Sequence, residues 1–397
     1  MTHRYRLLAV LLGTLTLLAG CGKVDGVPTA AEIDVRPLDV GNYPTTPLEF
    51  RYEYGHSLFD STRLAAMRIA DTMVTGTEID ANFHYLLGSS ALLSRDDVED
   101  VLANANGPVT ERNGMIVGFG VTVGTTDKDD DPKKTSVTVV VLQFPDAATA
   151  ERTARELEQT DFDVAPDLNQ RVNIPNIPAA HAHWRPGVPT LGAFMAKGSY
   201  VISAFTEASE PDLSNLTDLS RRALENQGRL LDGAPALSGE EMLRLENDPE
   251  GMLNRTLNPE ASGAPSPRSQ LTLTRRGLAT QLNQQYDRGK ILDDAGVDRY
   301  AKTGSFNASQ TFRTRDAAAA LALGEAVLGW GFTEPADAPD GIPGVRCGAR
   351  TNNTLVSAGR YRCTVPYQRY LASVESDQIV DLHQRAAAQY ALLANSY

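Results

Sequence analysis

The first run of hydrophobic positions, Leu7 to Leu18, is unbroken by charge and follows a basic start of His3, Arg4 and Arg6. Twelve residues rising roughly 1.5 Å each reach about 18 Å, short of the roughly 30 Å of hydrocarbon that a spanning helix must cross. With the small residues Ala19-Gly20 behind it, the run has the form of a secretory signal rather than a permanent span, and no later apolar run is long enough to cross a membrane. Farther along, Leu64, Met67, Ile69, Met73 and Val74 form an imperfect apolar stripe that predicts a helix over 61–74 with Asp60 or Ser61 as cap. A short helix is predicted over 95–105, stopped by Gly107-Pro108. The β-rich runs 115–123 and 135–144 predict a long hairpin, and 136–142, apolar on both faces, reads as a central strand. Asp146 caps a predicted helix over 146–159; strands follow at 181–185, 190–196 and 199–206, and a long helix at 213–231.

The residues Leu18-Ala19-Gly20-Cys21 resemble the lipobox of bacterial lipoproteins. In such proteins the Cys thiol receives a diacylglyceryl group, the signal is cut just before it, and the new N-terminus is often acylated. The resemblance implies a signal peptide over 1–20 and a lipidated, proline-broken tether over 21–48, with Cys21 carrying acyl chains such as palmitate. Two or three chains, at about 0.8 kcal/mol per buried methylene, hold a protein to a bilayer far more firmly than one. The expected location is the extracytoplasmic face of the cell membrane.

The second half of the chain repeats the first. Asp146-Ala147-Ala148 and Phe162 are answered 170 positions later by Asp316-Ala317-Ala318 and Phe332. Gly198-Ser199-Tyr200 is matched to Gly359-Arg360-Tyr361, and Asp218-Leu219 through Ala223 to Asp381-Leu382 through Ala386. The fold class expected is α+β: two duplicated units, each an antiparallel sheet covered on one face by helices. The composition of 259–269 is that of a linker, which places an N-terminal domain over 49–258 and a C-terminal domain over 270–397.

At this point the residues resemble a family of actinobacterial lipoproteins, found in mycobacteria and nocardiae. Its features are a lipobox, a Val-Gly-Asn-Tyr-Pro-like start, here Leu38-Asp39-Val40-Gly41-Asn42-Tyr43-Pro44-Thr45, and two related α+β halves. The resemblance implies an envelope location and brings no assigned activity and no catalytic residues.

Charge narrows the partners. The formal net charge of −13 becomes −15 when Arg4 and Arg6 leave with the signal, which argues against nucleic acid and against adsorption on anionic headgroups. With Cys21 acylated, Cys347 and Cys363 remain as an even pair outside the cytosol; two thiols alone lack the ligands for a metal, so a disulfide is expected. The acidic tip over 126–132 lacks the Gly and Glu of an EF-hand loop and carries lysines, so it reads as a solvated turn rather than a calcium site. Gly118-Phe119-Gly120 continues as a strand rather than opening a helix, which removes a dinucleotide loop, and no Gly-x-Ser-x-Gly elbow is present. His181 and His183 share a strand face and would suit zinc only with further ligands, so they read as a structural pair beside a packed Trp184. No catalytic, cofactor or metal residues are assigned.

Three functional classes follow. The leading one is a non-enzymatic envelope lipoprotein that binds an envelope lipid, a glycan or another protein; the others are a hydrolase using carboxylates in a cleft between the halves, and a structural accessory of a larger complex. An apolar cleft would favour the first, a buried carboxylate pair of raised pKa the second, and a flat exposed apolar patch the third.

Overall fold

The computed structural model describes residues 32–47, 57–259, 270–304, 307–350 and 359–396. The signal, Cys21, most of the 259–269 stretch and residues 351–358 lie outside the described residues. Residues 33–397 form one compact unit.

The N-terminal half begins with helix α1 (Leu58–Ala70), its Ser57 side chain accepting from the Asp60 N–H, and the single-turn α2 (Gly76–Ile79). Strand β1 (Tyr85–Leu92), two short helices, α3 (Arg95–Glu99) and α4 (Gly107–Arg112), and the hairpin β2 (Val117–Gly124) and β3 (Ser136–Gln143) follow. The helix predicted over 95–105 is therefore only a turn and a half, because Asp100 ends it before Gly107 is reached. Next come α5 (Ala147–Phe162), β4 (Gln170–Val172), β5 (His181–Trp184), β6 (Thr190–Lys197), β7 (Tyr200–Glu207), α6 (Leu213–Leu231) and the short α7 (Gly239–Leu243).

The C-terminal half runs β8 (Gln270–Thr274), α8 (Arg275–Leu278), α9 (Gln285–Asp294), β9 (Arg299–Thr303), β10 (Ser309–Arg313), α10 (Ala317–Gly329), β11 (Glu334–Ala336), β12 (Arg346–Ala349), β13 (Tyr361–Tyr367), β14 (Tyr370–Ser376) and α11 (Ile379–Ala394). Each half builds a seven-stranded antiparallel sheet, in the orders β1-β2-β3-β7-β6-β5-β4 and β8-β9-β10-β14-β13-β12-β11. The two orders are the same permutation, so the duplication extends to the topology.

It also extends to single bonds. Asp146 accepts from the Thr149 N–H at 2.7 Å and Asp316 from the Ala319 N–H at 2.8 Å. Phe144 N donates to Ser199 O, and Thr314 N, 170 positions on, donates to Arg369 O. This register corrects the sequence match at Gly359: Gln143 pairs with Tyr200 and Arg313 with Tyr370, so Tyr200 corresponds to Tyr370, not Tyr361. The two-residue turn of the second half uses Gln368 at φ 46° where the first uses Gly198 at φ 56°, which removes the glycine that would have marked it.

Each sheet is covered on both faces, not one. Ala150, Ala154 and Leu157 of α5 pack on Val140, Leu142 and Phe194, while Leu216, Leu219 and Ala223 of α6 belong to the core built on Val139, Val141 and Ile202 from the opposite face. A strand buried on both sides needs apolar residues in succession, which is why β3 lacks alternation. That inner core continues through α1, α8 and α9 to α10 and Phe312, joining the halves. A separate core lies between α11 and Cys363, Val365, Ala372 and Val374, and it includes Met252, Leu253 and Leu257, upstream of the linker-like stretch.

The described part of the tether packs on that outer layer. Ile33, Val35, Leu38, Val40 and Tyr43 cover α11, Tyr43 donates its hydroxyl proton to Asp381 at 2.6 Å, and Arg385 Nε donates to the Tyr43 hydroxyl oxygen at 3.0 Å.

Candidate functional site

The halves meet at a seam of buried polar contacts. Asp71, just past α1, accepts from the Thr274 N–H and hydroxyl at 2.9 and 2.8 Å; a Cβ on Gly277 would stand 2.0 Å from Asp71 Oδ1, so glycine there lets the carboxylate reach the first turn of α8. Gly76 N donates to Gln285 Oε1, Leu86 N to Asn283 O and Tyr286 N to His84 O; the Leu86 bond pairs one N–H on the free edge of β1.

Beside this seam opens a cleft of about 550 Å³, with Thr75 and Thr77 on one side and Arg275, Arg276, Tyr286 and Lys290 on the other. The capping box of α2 places Glu78 so that its carboxylate accepts from the Thr75 N–H and from both terminal nitrogens of Arg276, at 2.8 and 2.9 Å. Burial opposes the charge on Glu78, but the Arg276 and Thr75 hydrogen bonds prevail and hold its carboxyl below the usual range. Arg275 is fixed by Asp293 Oδ1 and the Gly289 carbonyl, each at 2.8 Å. Tyr286 is 44% exposed and stacks on His84 with centroids 4.3 Å apart.

Two acids of raised pKa sit elsewhere along the seam. Asp71 and Asp248 line a smaller cavity of about 160 Å³ with Glu250 and Arg299. Burial pushes both carboxyls up, against the hydrogen bonds from Thr274 to Asp71 and from the backbone of 252–254 to Asp248.

His181 and His183 face α5, while Trp184 packs on the opposite side and donates its indole N–H to Val188 O at 2.8 Å. The expectation of a His pair beside the Trp is corrected here, because neighbours on a strand point apart. His183 Nδ1 lies 3.4 Å from Glu158 Oε1. Asp161, one helical turn on, accepts from Asn106 and is pushed up to about 6 by burial, with Glu158 adding and His183 opposing. Glu158 itself, desolvated yet facing His183 and Arg171, stays below the usual carboxylate range. Among the described residues no three His, Cys, Asp or Glu side chains converge in a way that could hold a metal ion, and no helix is long and apolar enough to cross a membrane.

Cys347 and Cys363 are directly opposed on β12 and β13 and form a disulfide. Cys21 lies outside the described residues. The cleft residues Thr75, Thr77, Arg275, Arg276, Tyr286 and Lys290 carry no motif; the Arg275-Arg276 pair was the one local signal, and nothing in the sequence linked it to residues 200 positions earlier.

Residues 52–247 match the family model described as the N-terminal domain of unknown function DUF7373, and residues 252–396 match its C-terminal counterpart. The chain belongs to the DUF7373 family. The DUF7373 C-terminal match begins at Met252, where the chain enters the second core. No curated protein matches the sequence. A similar solved structure is the extracellular domain of PknH from Mycobacterium tuberculosis, at 14% identity and a TM-score of 0.28, covering 45% of this chain and 98% of that one.

Proposed function

We propose that this chain is a non-enzymatic binding protein of an actinobacterial cell envelope, held at the extracytoplasmic face of the membrane through acylated Cys21, with the cleft between its halves as the binding place. The cleft is lined mostly by polar and charged side chains, not by the apolar walls expected of such a binder, and the observation that carries the reading is instead the state of that wall: its Arg275 and Arg276 side chains are fixed in advance, and the two carboxylates beside them, Glu78 and Asp293, are each held by a guanidinium. Fixed donors favour binding, since little side-chain freedom is lost when a ligand arrives. The lipobox and the Leu38–Thr45 stretch support the address.

Intact-mass measurement of the membrane fraction is expected to find wild type heavier than Cys21→Ala by the acyl groups, and an unlipidated wild type refutes the anchor. Native mass spectrometry of protein from its own membrane is expected to find a retained ligand that a cleft-filling Thr77→Trp variant loses.

A second reading, hydrolysis of envelope material, is favoured by the raised pKa of Asp71 and Asp248 in one inter-half cavity. Turnover of cell-wall material abolished by Asp248→Asn, in a variant that keeps its fold, would establish it; equal turnover by wild type and variant would remove it.

A further inference from the structure

The cleft reverses the charge of the molecule around it. The chain carries −13, yet the wall brings Arg275, Arg276 and Lys290 against Asp293, with Glu78 behind Arg276. Neither guanidinium uses all five of its donors: Arg275 Nη1 and Arg276 Nε have no partner among the described residues, and Lys290 Nζ makes no hydrogen bond or ion pair there. A Cβ on Gly289 would stand 3.0 Å from Arg275 Nη2, so the bare backbone of α9 is what lets that guanidinium lie against it and hold its direction. The aromatic platform of Tyr286 and the hydroxyl of Thr77 border the same space.

We propose that this cleft binds a phosphorylated polyol, a sugar or cyclitol ring bearing a phosphate, with the phosphate against Arg275, Arg276 and Lys290 and the ring over Tyr286. A planar carboxylate is matched by one guanidinium fork, as Arg276 meets both oxygens of Glu78; spare donors on three separate cations suit the several oxygens of a tetrahedral oxyanion better. The volume lies within the range of small-ligand sites, about 300–1,000 Å³, and is larger than phosphate alone requires. An exposed ring seated on His84 gives the apolar face of a sugar a surface to lie on, while Thr77 offers a hydroxyl partner. The proposal rests on the cleft being a binding place, as argued above, and adds the chemistry of what it binds.

The test is calorimetric titration of the full chain in detergent at low ionic strength with inorganic phosphate, glucose, glucose 6-phosphate and glycerophosphoinositol. Both phosphorylated polyols are expected to bind at least tenfold more tightly than inorganic phosphate, glucose is expected not to bind, and added salt is expected to weaken binding. Tighter binding of the monoester points to a free sugar phosphate and of the diester to a lipid headgroup; either supports the class. Lys290→Ala, at an exposed position where folding is not at risk, should weaken both phosphorylated probes at least tenfold. Tyr286→Ala should weaken them while leaving inorganic phosphate unchanged. Binding of glucose as tight as that of glucose 6-phosphate, no binding of either phosphorylated probe, or indifference to Lys290→Ala would overturn the proposal. A retained ligand without phosphorus, lost from Thr77→Trp, would overturn the phosphate chemistry while leaving the binding reading in place, and attachment through Cys21 does not enter the titration.

Discussion

The two halves share one strand order but fill equivalent places with different chemistry. Where β12 and β13 are joined by Cys347–Cys363, the matching pair of β5 and β6 is Ala182–Ala193, small and buried. Where β13 and β14 oppose Arg362 to Glu375, β6 and β7 oppose Gly192 to Phe205. The reverse holds on the α5 side, where Glu158, Asp161 and His183 of the first half stand opposite Leu328, Gly331 and Gly348 of the second. The topology therefore does not depend on any one of these devices. Main-chain pairing and the apolar faces carry the fold, and each half has placed its buried polar groups independently.

The comparison can be broken first at the buried ion pair. Arg362 and Glu375 are 7% and 4% exposed, and Glu375 also accepts from the Gly359 N–H. Glu375→Leu strands a buried guanidinium and is expected to cost about 3–5 kcal/mol in denaturant unfolding. Phe205→Leu at the matching, 44% exposed place is expected to change stability by less than about 0.5 kcal/mol. A comparable loss at both positions would mean that the halves are held alike.

Second in size is the disulfide, which joins cysteines at a sequence separation of 16. The double substitution Cys347→Ala and Cys363→Ala, restoring the alanine pair of the first half, is expected to cost about 3 kcal/mol. Because one core joins the halves, the melt of the whole chain is expected to shift as a single transition; separate transitions would contradict the shared core.

The acid cluster of the first half gives a smaller effect of opposite sign. The folded value of Asp161, about 6, lies above the ordinary 3.8, so its contribution is fully present below about pH 4 and is lost as pH rises through 6. Asp161→Asn is expected to stabilise the protein by about 1–2 kcal/mol at pH 7.5 and to match wild type near pH 3.5, as paired denaturant curves will read. The smallest effect is at the turn: Gln368→Gly, copying Gly198, relieves a left-handed non-glycine and is expected to stabilise by up to about 1 kcal/mol, measured the same way.

How much was legible follows the range of the forces involved. The capped helices at Asp146 and Asp316, the β2–β3 hairpin and the offset of 170 were visible because each depends on neighbours in sequence. The strand match at Gly359 failed because Gln368 adopts a glycine conformation without being glycine. Covering on both faces went unread because Ala-rich α5 and α10 do not show which side of a sheet they take. The cleft was invisible for a different reason. Thr75 and Arg275, 200 positions apart, are brought together only by the packing of one half on the other, and α9, polar on most of its surface, carries no apolar stripe to announce that packing.

The fastening of residues 33–47 onto α11 acquires a mechanical meaning under the proposed anchor. From Cys21 to Ile33 the chain can extend at most about 40 Å, which sets the longest leash on which the body could ride above the bilayer. A pull on that leash would load the contacts of Ile33 and Val35 first, then Asp39 against Gln384, and last Tyr43 against Asp381 and Arg385 and Asn395 holding the Thr45 carbonyl, all of them on or next to the last helix of the chain. Drag or traction from the membrane would be taken up in the outer layer of the C-terminal half, a layer away from the seam where Arg275, Arg276 and Tyr286 keep their places.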